Sequence, residues 1–457
     1  MPPIRLSDEP PLSLPRSSRK HAPRLSLALA AALLLLAACS RATIPAAPYD
    51  PALLAEIQNI KAFDNHAHPV LSVAPGQKPD RDFDALPVDN MEPSADPMIF
   101  RAGNPLVKQA ARALYGSSDP AAKQKMMTEK GADYPEWVLD QMGVEVMLAN
   151  RVEMGPSIQP PRFHWVPYAD ALLFPLNNSG LAAENSDRKS FFALEDQLRS
   201  RYLQAVHLTA PPATLLDYLN HVVTPTLEHQ KEGGAVAEKF EAAYLRSLEF
   251  DPVDTAAAEA IYRQYVRKTG PAAVPPRAAY KQLQDFLFHY IAAECGRLGM
   301  AVHFHTMAGA GSYFNVQGAN PLLLESIFND PSLRKTKVVM VHGGWPFTRE
   351  ITPLLEKPDA YLDFSAQDLS LTPATLAAGI RQWLEFVPEK VLFGTDAYPY
   401  SNEMGWEESG WLAAKNGREA LAIALTGMMR DGEISRTRAS ELARMVLREN
   451  ARALYSL

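Results

Sequence analysis

The sequence predicts an α/β fold in which eight parallel strands close into a (β/α)8, TIM-like barrel. Short apolar runs alternate with longer helical stretches along most of the 457 residues, which is typical of parallel sheets. Several runs are uninterrupted stretches of β-branched or apolar residues, as expected for strands that are covered on both faces. Eight such runs favour a closed barrel over an open sheet.

The predicted strands leave room for helices between them. They lie near residues 60–63, 144–148, 169–174, 235–240, 301–304, 338–341, 361–364 and 391–393. Helical insertions are expected after strands 1 and 3, in residues 71–135 and 177–232. Because loops that follow barrel strands lie at the active face, we expect these insertions to form a lid or a pocket wall. The final stretch, residues 435–457, reads as helix that closes the outside of the barrel.

The amino-terminal region has the pattern of an export signal. Residues 25–38 carry no charge and follow five basic residues, namely Arg5, Arg16, Arg19, Lys20 and Arg24. An apolar run of this length is too short to span a bilayer, but it is typical of a signal peptide. The run ends in Leu-Ala-Ala-Cys, which resembles a bacterial lipobox, so we expect Cys39 to be lipidated. The alternative is an ordinary signal peptide with an incidental cysteine.

These features divide the chain into a signal peptide (1–38), a linker (39–58) and a barrel domain (59–457). The leader holds five of the 45 basic and two of the 52 acidic residues, so the remainder has a net charge of −10. This charge argues against a nucleic-acid partner. We therefore expect an exported bacterial lipoprotein that is anchored to a membrane surface by its lipid and faces the periplasm or the cell surface.

Histidine and aspartate residues stand at the ends of four predicted strands. His66 and His68 follow the first run, and residues i and i+2 of an extended chain point to the same side. Two imidazoles that are aimed at one point form a metal site readily. Five of the 11 histidines lie at predicted strand ends, where barrel enzymes carry their catalytic residues. The other residues at these ends are His303 and His305 on strand 5, His342 on strand 6 and Asp396 on strand 8.

Several longer motifs resemble those of the metal-dependent amidohydrolase superfamily, in the branch that includes the domain fused to glutamine-synthetase-like proteins. The motifs are KFEAAYLRSL, FHTMAGAG, NPLLLESIF, VHGGWPFTRE, AYLDFS, LFGTDAYP and NARALYSL. The resemblance extends over nearly the whole chain after the leader. It implies one or two divalent metal ions, with zinc as the expected metal. The ligands that it implies are His66, His68, Lys239, His305, His342 and Asp396.

The resemblance also implies roles for these residues. Asp396 would accept a proton from a metal-activated water and pass it to the leaving group, with His342 as a second catalytic residue. Lys239 lies in an apolar run, where an unpaired ammonium is costly. Carboxylation of this lysine, which would let it bridge two metals, explains its position, and the alternative is an ordinary lysine. The family pattern selects His305 as the ligand and leaves His303 as a hydrogen-bonded histidine of the barrel interior or of the layer behind the ligands.

Four further side chains are candidates for substrate binding. Tyr244 and Arg246 follow strand 4 and could reach a substrate carboxylate, or could hold the loop there. Arg151 follows strand 2 and has the same two interpretations. Trp345 either lines an apolar pocket or simply packs in the core, and the same two interpretations apply to Tyr398.

The function that the resemblance favours is hydrolysis of an amide or peptide-like C–N bond in a small molecule. One alternative is a mononuclear metal-dependent decarboxylase of the same superfamily, in which Lys239 is not a ligand and His342 is an acid or base. Another is a non-catalytic envelope lipoprotein that binds a ligand on a barrel scaffold. The presence of all six expected ligand positions disfavours this last alternative.

Overall fold

A computed structural model describes residues 47–73, 78–87, 97–101, 103–185, 188–309 and 311–457. The compact unit that holds the barrel extends from Pro48 to Leu457. The predicted leader and its Cys39 lie outside the described residues. Within the predicted linker, residues 51–59 form a helix whose Leu53 and Ile57 are fully buried. Over the described ranges, no helix combines the length and the apolar character that crossing a membrane requires.

Eight parallel strands form the centre of the unit. In chain order they are β1 (Ala62–Ala67), β2 (Val144–Asn150), β3 (Phe163–Val166), β4 (Ala237–Phe240), β5 (Ala301–His305), β6 (Val338–Val341), β7 (Ala360–Asp363) and β8 (Val391–Leu392). Neighbours in sequence are neighbours in space, as β1-β2-β3 in one sheet and β4-β5-β6-β7-β8 in a second.

Two sets of single backbone bridges join the two sheets into a closed barrel. Between β3 and β4, Trp165 pairs with Ala235 and Tyr168 pairs with Lys239. Between β8 and β1, Ala67 pairs with Ala397, and His68 N donates to Ala397 O at 2.8 Å. The predicted α/β barrel is therefore confirmed.

The helices before β4 include those of both predicted insertions. They are α1 (Pro51–Asn59), α2 (Pro105–Tyr115), α3 (Pro120–Lys130), α4 (Tyr134–Met142), α5 (Asp170–Leu173), α6 (Ser179–Ala182), α7 (Arg188–Ala205), α8 (Leu215–Tyr218) and α9 (Thr224–Glu232). A π-helical turn, Leu219–Val223, connects α8 to α9.

The helices after β4 complete the outer layer. They are α10 (Ala242–Leu245), α11 (Thr255–Tyr265), α12 (Arg277–Leu298), α13 (Glu325–Asn329), α14 (Thr352–Leu355), α15 (Gln367–Ser370), α16 (Pro373–Phe386), α17 (Trp406–Arg430), α18 (Arg436–Arg444) and α19 (Asn450–Tyr455). A second π-helical turn, Met445–Glu449, connects α18 to α19.

Part of the high proline content serves helix initiation. In α1, α2 and α3 the first residue is proline, and the preceding Asp50, Asn104 and Asp119 each accept a backbone N–H at 2.8–2.9 Å. Proline suits the first helical position because its missing N–H would have no partner there, and the capping side chain satisfies a neighbouring N–H. These local signals fix where α1, α2 and α3 begin.

The apolar core has two layers, as a barrel requires. A small cluster inside the barrel is formed by Phe63, Leu148, Val166, Ala237, Val339 and their neighbours. A larger cluster lies between the strands and the surrounding helices. Ala451 and Leu454 of α19 belong to the inner cluster. The last helix therefore covers the end of the barrel interior, and the prediction that it closes the outer face is wrong for this segment.

The prediction of the third strand is wrong. The strand is Phe163–Val166, whereas residues 170–173 of the predicted run form α5. Every residue of α5 is buried. When a short apolar run is buried on all sides, its sequence pattern is the same whether it forms a helix or a strand. The first strand also extends further than predicted, to Ala67, so His66 lies within it.

Candidate metal centre

Three ligand atoms converge at the carboxyl-terminal end of the barrel. His66 Nε2 lies 3.3 Å from His68 Nε2, and Asp396 Oδ1 lies 3.3 Å from the first and 3.5 Å from the second. Lys239 Nζ lies 3.3 Å from His66 Nε2. His342 is the next donor, because its ligand nitrogen lies within 4.8 Å of the ligand nitrogen of His66 and the ligand oxygen of Asp396. The structure thus brings together five of the six predicted ligands.

Hydrogen-bond partners outside the cluster orient the histidine rings towards its centre. His68 Nδ1 lies 3.2 Å from Phe83 O, and His342 Nδ1 lies 3.2 Å from Ser365 O. A carbonyl can only accept, so each Nδ1 carries the proton and each Nε2 presents a lone pair to the cluster. His66 Nδ1 is held by the side chain of Asn150 at 2.8 Å.

Two buried carboxylates hold the backbone of the strand ends. Asp363 Oδ1 accepts from the N–H of His342 at 2.9 Å and from Ser365 Oγ at 2.6 Å. Asp64 accepts from Thr395 Oγ1 at 2.6 Å and from the N–H of His66 at 3.2 Å. Each carboxylate therefore ties the residues around one ligand to a neighbouring strand.

The backbone is strained at two of the ligands. His342 has φ +70° and Asp396 has φ +52°, a region that non-glycine residues rarely adopt. Such conformations cost about 1–3 kcal/mol each and persist where the surrounding structure enforces them. Gly343 follows with φ +56°, and a Cβ there would lie 3.0 Å from Asp363 O and 2.9 Å from the Trp383 ring. Only glycine fits next to His342 without displacing its supports.

The hydrogen-bond network continues to the end of the chain. Asn65 Nδ2 donates to Asp363 Oδ2 at 2.6 Å, and Tyr455 OH donates to Asn65 Oδ1 at 2.5 Å. His303 Nε2 lies 2.6 Å from the same tyrosine oxygen. His303 is therefore a hydrogen-bonded residue of the barrel interior and not part of the ligand cluster.

The electrostatic environment favours cation binding. Burial, and then the nearby Lys239, hold the pKa of His66 well below its usual range. Burial is also the main reason that the pKa of His342 is well below its usual range. For Asp396, burial raises the pKa, but His342, His68 and Lys239 outweigh it and the net shift is downward. At neutral pH the imidazoles are thus neutral and the carboxylate is ionised, which is the state that binds a metal.

The spacing of the donors fits a zinc ion. Zinc binds nitrogen and carboxylate oxygen at about 2.0–2.2 Å in a tetrahedron, so its ligand atoms are about 3.3–3.6 Å apart. The three separations between His66 Nε2, His68 Nε2 and Asp396 Oδ1 are 3.3–3.5 Å. The donor set and its spacing therefore fit one tetrahedral metal, with a further position available to His342, Lys239 or a small molecule.

A cavity of about 600 Å³ opens over the cluster. Tyr244 and Trp345, which were predicted to contact substrate, line it, together with Tyr398. Tyr244 OH lies 3.1 Å from His305 Nδ1, and the other ring nitrogen of His305 lies 2.8 Å from Met307 O. His305 therefore lines the cavity, but its two nitrogens are paired with Tyr244 and Met307 and not with the ligand cluster, unlike the predicted arrangement.

The two predicted arginines do not reach the cavity. The guanidinium of Arg151 is 1% exposed and binds Asp80 at 2.8 Å and Pro69 O at 2.6 Å. Arg246 donates to Asp285 at 2.6 Å and to Gln284 at 2.9 Å. Both guanidinium groups are occupied by internal partners, so they hold loops and do not bind a substrate carboxylate. The alternative prediction for these two residues, that they hold loops in place, agrees with these contacts.

Sequence reasoning missed three groups at the site. Tyr400 OH donates to Asp396 Oδ2 at 3.0 Å, and Glu241 and Asp84 line the cavity. Burial, and then the nearby Asp84, raise the pKa of Glu241 well above its usual range. Glu241 could have been found by extending the i and i+2 rule from Lys239 past the strand end. Asp84 lies in an irregular loop without a periodic pattern, so no sequence signal identifies it.

The buried His303 predicts a specific pH dependence of stability. Burial, and then Lys239, lower the pKa of His303 to about 3, whereas the unfolded value is about 6.5. The unfolded chain therefore binds the proton first, so stability is complete above about pH 6.5 and falls as the pH decreases towards 3. Replacing His303 by glutamine should reduce this slope by about 1.4 kcal/mol per pH unit.

Urea unfolding of the metal-free protein between pH 4 and 7 measures this slope. The exposed His221, whose side chain is 65% accessible, provides the matched His221→Gln control. Parallel pH profiles for wild type and His303→Gln would contradict the assignment.

Comparisons with known proteins agree with this architecture. Residues 235–457 match the profile of the amidohydrolase family. A segment of 222 residues is 27% identical to Protein fluG of Emericella nidulans, and it makes up 47% of this chain and 25% of that protein. The match therefore spans about a quarter of the length of this curated relative.

Solved structures share the fold at low identity. Glucuronate isomerase from Caulobacter crescentus has a TM-score of 0.58 and 13% identity over 90% of this chain and 96% of its own. Uronate isomerase from Thermotoga maritima has a TM-score of 0.54 and 14% identity over 88% and 96%. A candidate metal-dependent hydrolase from Lactobacillus casei has a TM-score of 0.54 and 16% identity over 88% and 97%. The chain thus has the barrel fold of these enzymes, and its residues 235–457 match the amidohydrolase family.

Proposed function

We propose that the chain is a metal-dependent hydrolase of the amidohydrolase superfamily that cleaves an amide or peptide-like C–N bond of a small molecule. The observation that carries this proposal is the tetrahedral spacing of His66 Nε2, His68 Nε2 and Asp396 Oδ1 at the floor of a cavity. The family match to residues 235–457 supports it, because the match includes Lys239, His342 and Asp396.

Zinc is the proposed metal, held by His66, His68 and Asp396. When bound, a divalent metal activates water and polarises a carbonyl oxygen. Lys239 would add a bridging ligand for a second ion if its amine were carboxylated, and its Nζ lies 3.3 Å from His66 Nε2. These assignments use residues that already converge in the structure.

The surrounding residues supply proton transfer and orientation. Asp396 has one oxygen at the cluster and one that accepts from Tyr400 OH at 3.0 Å, so its orientation is fixed. The Asp396 carboxylate would accept the proton of the attacking water and deliver it to the leaving nitrogen. His342 Nε2, which faces the same space, would accept a hydrogen bond from the substrate or act as a ligand.

The cavity suits a small molecule rather than a polymer. Its volume of about 600 Å³ lies within the range of small-ligand sites. Aromatic and apolar side chains, including Phe100, Trp345 and Tyr398, line much of its wall. An apolar wall lowers the local dielectric constant, which strengthens the electrostatic interactions beside it.

The lining disfavours functions that require recognition of a substrate carboxylate. Among the described lining residues there is no arginine, and Lys239 is turned to the histidine cluster. A decarboxylase or a uronate isomerase must bind a carboxylate, which requires a cation or a metal. In this cavity the predicted decarboxylase alternative would have to bind that carboxylate through the metal or Lys239, because no arginine is among the described lining residues.

Substitution of the ligands tests the proposed function. His66→Ala and Asp396→Ala should each lose bound zinc and lower amidase activity by at least about 100-fold, because each removes a direct donor. Zinc content by mass spectrometry and turnover on an amide library measure the two effects. His289→Ala is the matched control, because His289 pairs with Asp330 on the outer layer. Variants that keep both zinc and full activity would contradict the proposal.

We also propose that the protein is exported and anchored through a lipid on Cys39. The support is the sequence pattern of a basic start, an uncharged run and a Leu-Ala-Ala-Cys ending. Cys39→Ser should abolish incorporation of labelled palmitate and shift the protein from the detergent phase to the aqueous phase. Cys295→Ser is the control, because Cys295 is buried in α12. Equal labelling of wild type and Cys39→Ser would overturn the anchor.

A further inference from the structure

We propose that Asp84 and Glu241 form an ammonium-binding subsite beside the metal centre. The substrates would then be small amides that carry a positively charged amino group. This inference rests on the proposed function for the reaction, but it concerns recognition and can be tested separately. We call the two residues the acidic subsite.

Glu241 lines the cavity, and one of its carboxyl oxygens is buried without a protein partner among the described residues. The residue follows β4, is 3% exposed and lines the cavity wall. Its Oε2 has no hydrogen-bond partner within the described part of the chain. Leaving a buried acceptor unsatisfied costs about 1–3 kcal/mol, and more for a charged group, so a ligand donor would remove a real penalty.

The backbone holds Glu241 rigidly in this position. The N–H of Glu241 donates to Asp170 Oδ2 at 2.6 Å. Asp170 is itself 1% exposed, so this contact is buried. The bond fixes the backbone from which the Glu241 side chain reaches the cavity.

Asp84 lines the same cavity, and its carboxyl group has the Tyr168 hydroxyl as a neutral hydrogen-bond partner. It is 5% exposed, lines the cavity and accepts the N–H of Leu86 at 3.3 Å. The nearest ring nitrogen, His68 Nδ1, is 3.9 Å from Asp84 Oδ2. That nitrogen already lies 3.2 Å from Phe83 O and 3.1 Å from Tyr168 OH. Asp84 is thus next to the metal centre.

The charge balance of the lining selects a cationic ligand. Its carboxylates are Asp84, Glu241 and Asp396, and its one basic side chain among the described residues is Lys239. Asp396 and Lys239 face the histidine cluster, at 3.3 Å from His66 Nε2 in each case. Two carboxylates remain for the ligand. An ammonium would favour their ionised forms and make charge-assisted hydrogen bonds to them, whereas a substrate carboxylate would find no positive partner there.

Geometry places this subsite within reach of the scissile bond. Glu241 comes two residues after Lys239, and Asp84 Oδ2 is 3.9 Å from a ring that belongs to the metal centre. A single small molecule can therefore contact the metal with its amide and the acidic subsite with its amine. The apolar wall formed by Phe100, Met307 and Trp345 would receive its uncharged part.

Binding of a matched ligand pair tests the inference. β-Alanine hydroxamate carries an ammonium at neutral pH, and N-acetyl-β-alanine hydroxamate has the same metal-binding group without the charge. Calorimetry with the zinc-loaded full chain should show at least about tenfold tighter binding of the amine, which corresponds to about 1.4 kcal/mol. The ratio of the affinities for the amine and the N-acetyl compound should fall towards one in Asp84→Asn and in Glu241→Gln, with zinc content unchanged. Glu136→Gln, at an exposed position, is the control that keeps the preference.

The outcomes separate this inference from the proposed function. Equal affinities for the two hydroxamates in the wild type, or no binding of either, would overturn the inference even if both variants failed to fold. Loss of zinc from Glu241→Gln would also overturn it, because Glu241 would then be a metal ligand. Hydrolysis of β-alanine p-nitroanilide and its N-acetyl derivative is measured in parallel. A retained preference without hydrolysis of either compound supports the subsite and counts against the proposed function.

Discussion

The centre of the molecule depends on the close approach of electron-rich atoms in a place with little water. His66 Nε2, His68 Nε2 and Asp396 Oδ1 lie 3.3–3.5 Å apart. Lone pairs at this distance repel one another unless a positive charge lies between them, and a metal cation has the right size and preference for such donors. The rest of the site can be understood as the structure that keeps these atoms together.

That structure is built from hydrogen bonds behind the ligands. Asp64 and Asp363 hold the backbone at strand ends, and His342 and Asp396 stay in strained conformations because of such contacts. The network extends through Asn65 to Tyr455 at the end of the chain. Since the same helix carries Leu454 into the barrel interior, the last residues contribute both to the core and to the arrangement of the ligands.

The predictable and the unpredictable features differ in physical origin. Uninterrupted apolar runs predicted the barrel, because parallel strands that are covered on both faces need such residues. Histidines and an aspartate at strand ends predicted the cluster, because position on a strand fixes where a short side chain points. The α5 segment was misassigned because burial on all sides removes any periodic signal.

Long or loop-borne side chains were harder to place from sequence. Arg151 and Arg246 follow strands, as the metal ligands do, but their long side chains reach internal acceptors instead of the cavity. Asp84 reaches the site from a loop of the first insertion, so only the folded chain reveals its neighbours. His305 was correctly placed at the cavity, yet Tyr244 and Met307 determine where its nitrogens point.

Anomalous diffraction at the zinc absorption edge, from crystals of the zinc-loaded protein, tests the central claim most directly. The account predicts a peak about 2.0–2.2 Å from each of His66 Nε2, His68 Nε2 and Asp396 Oδ1. A map without a peak between these three atoms, in crystals of protein that binds zinc elsewhere, would contradict it.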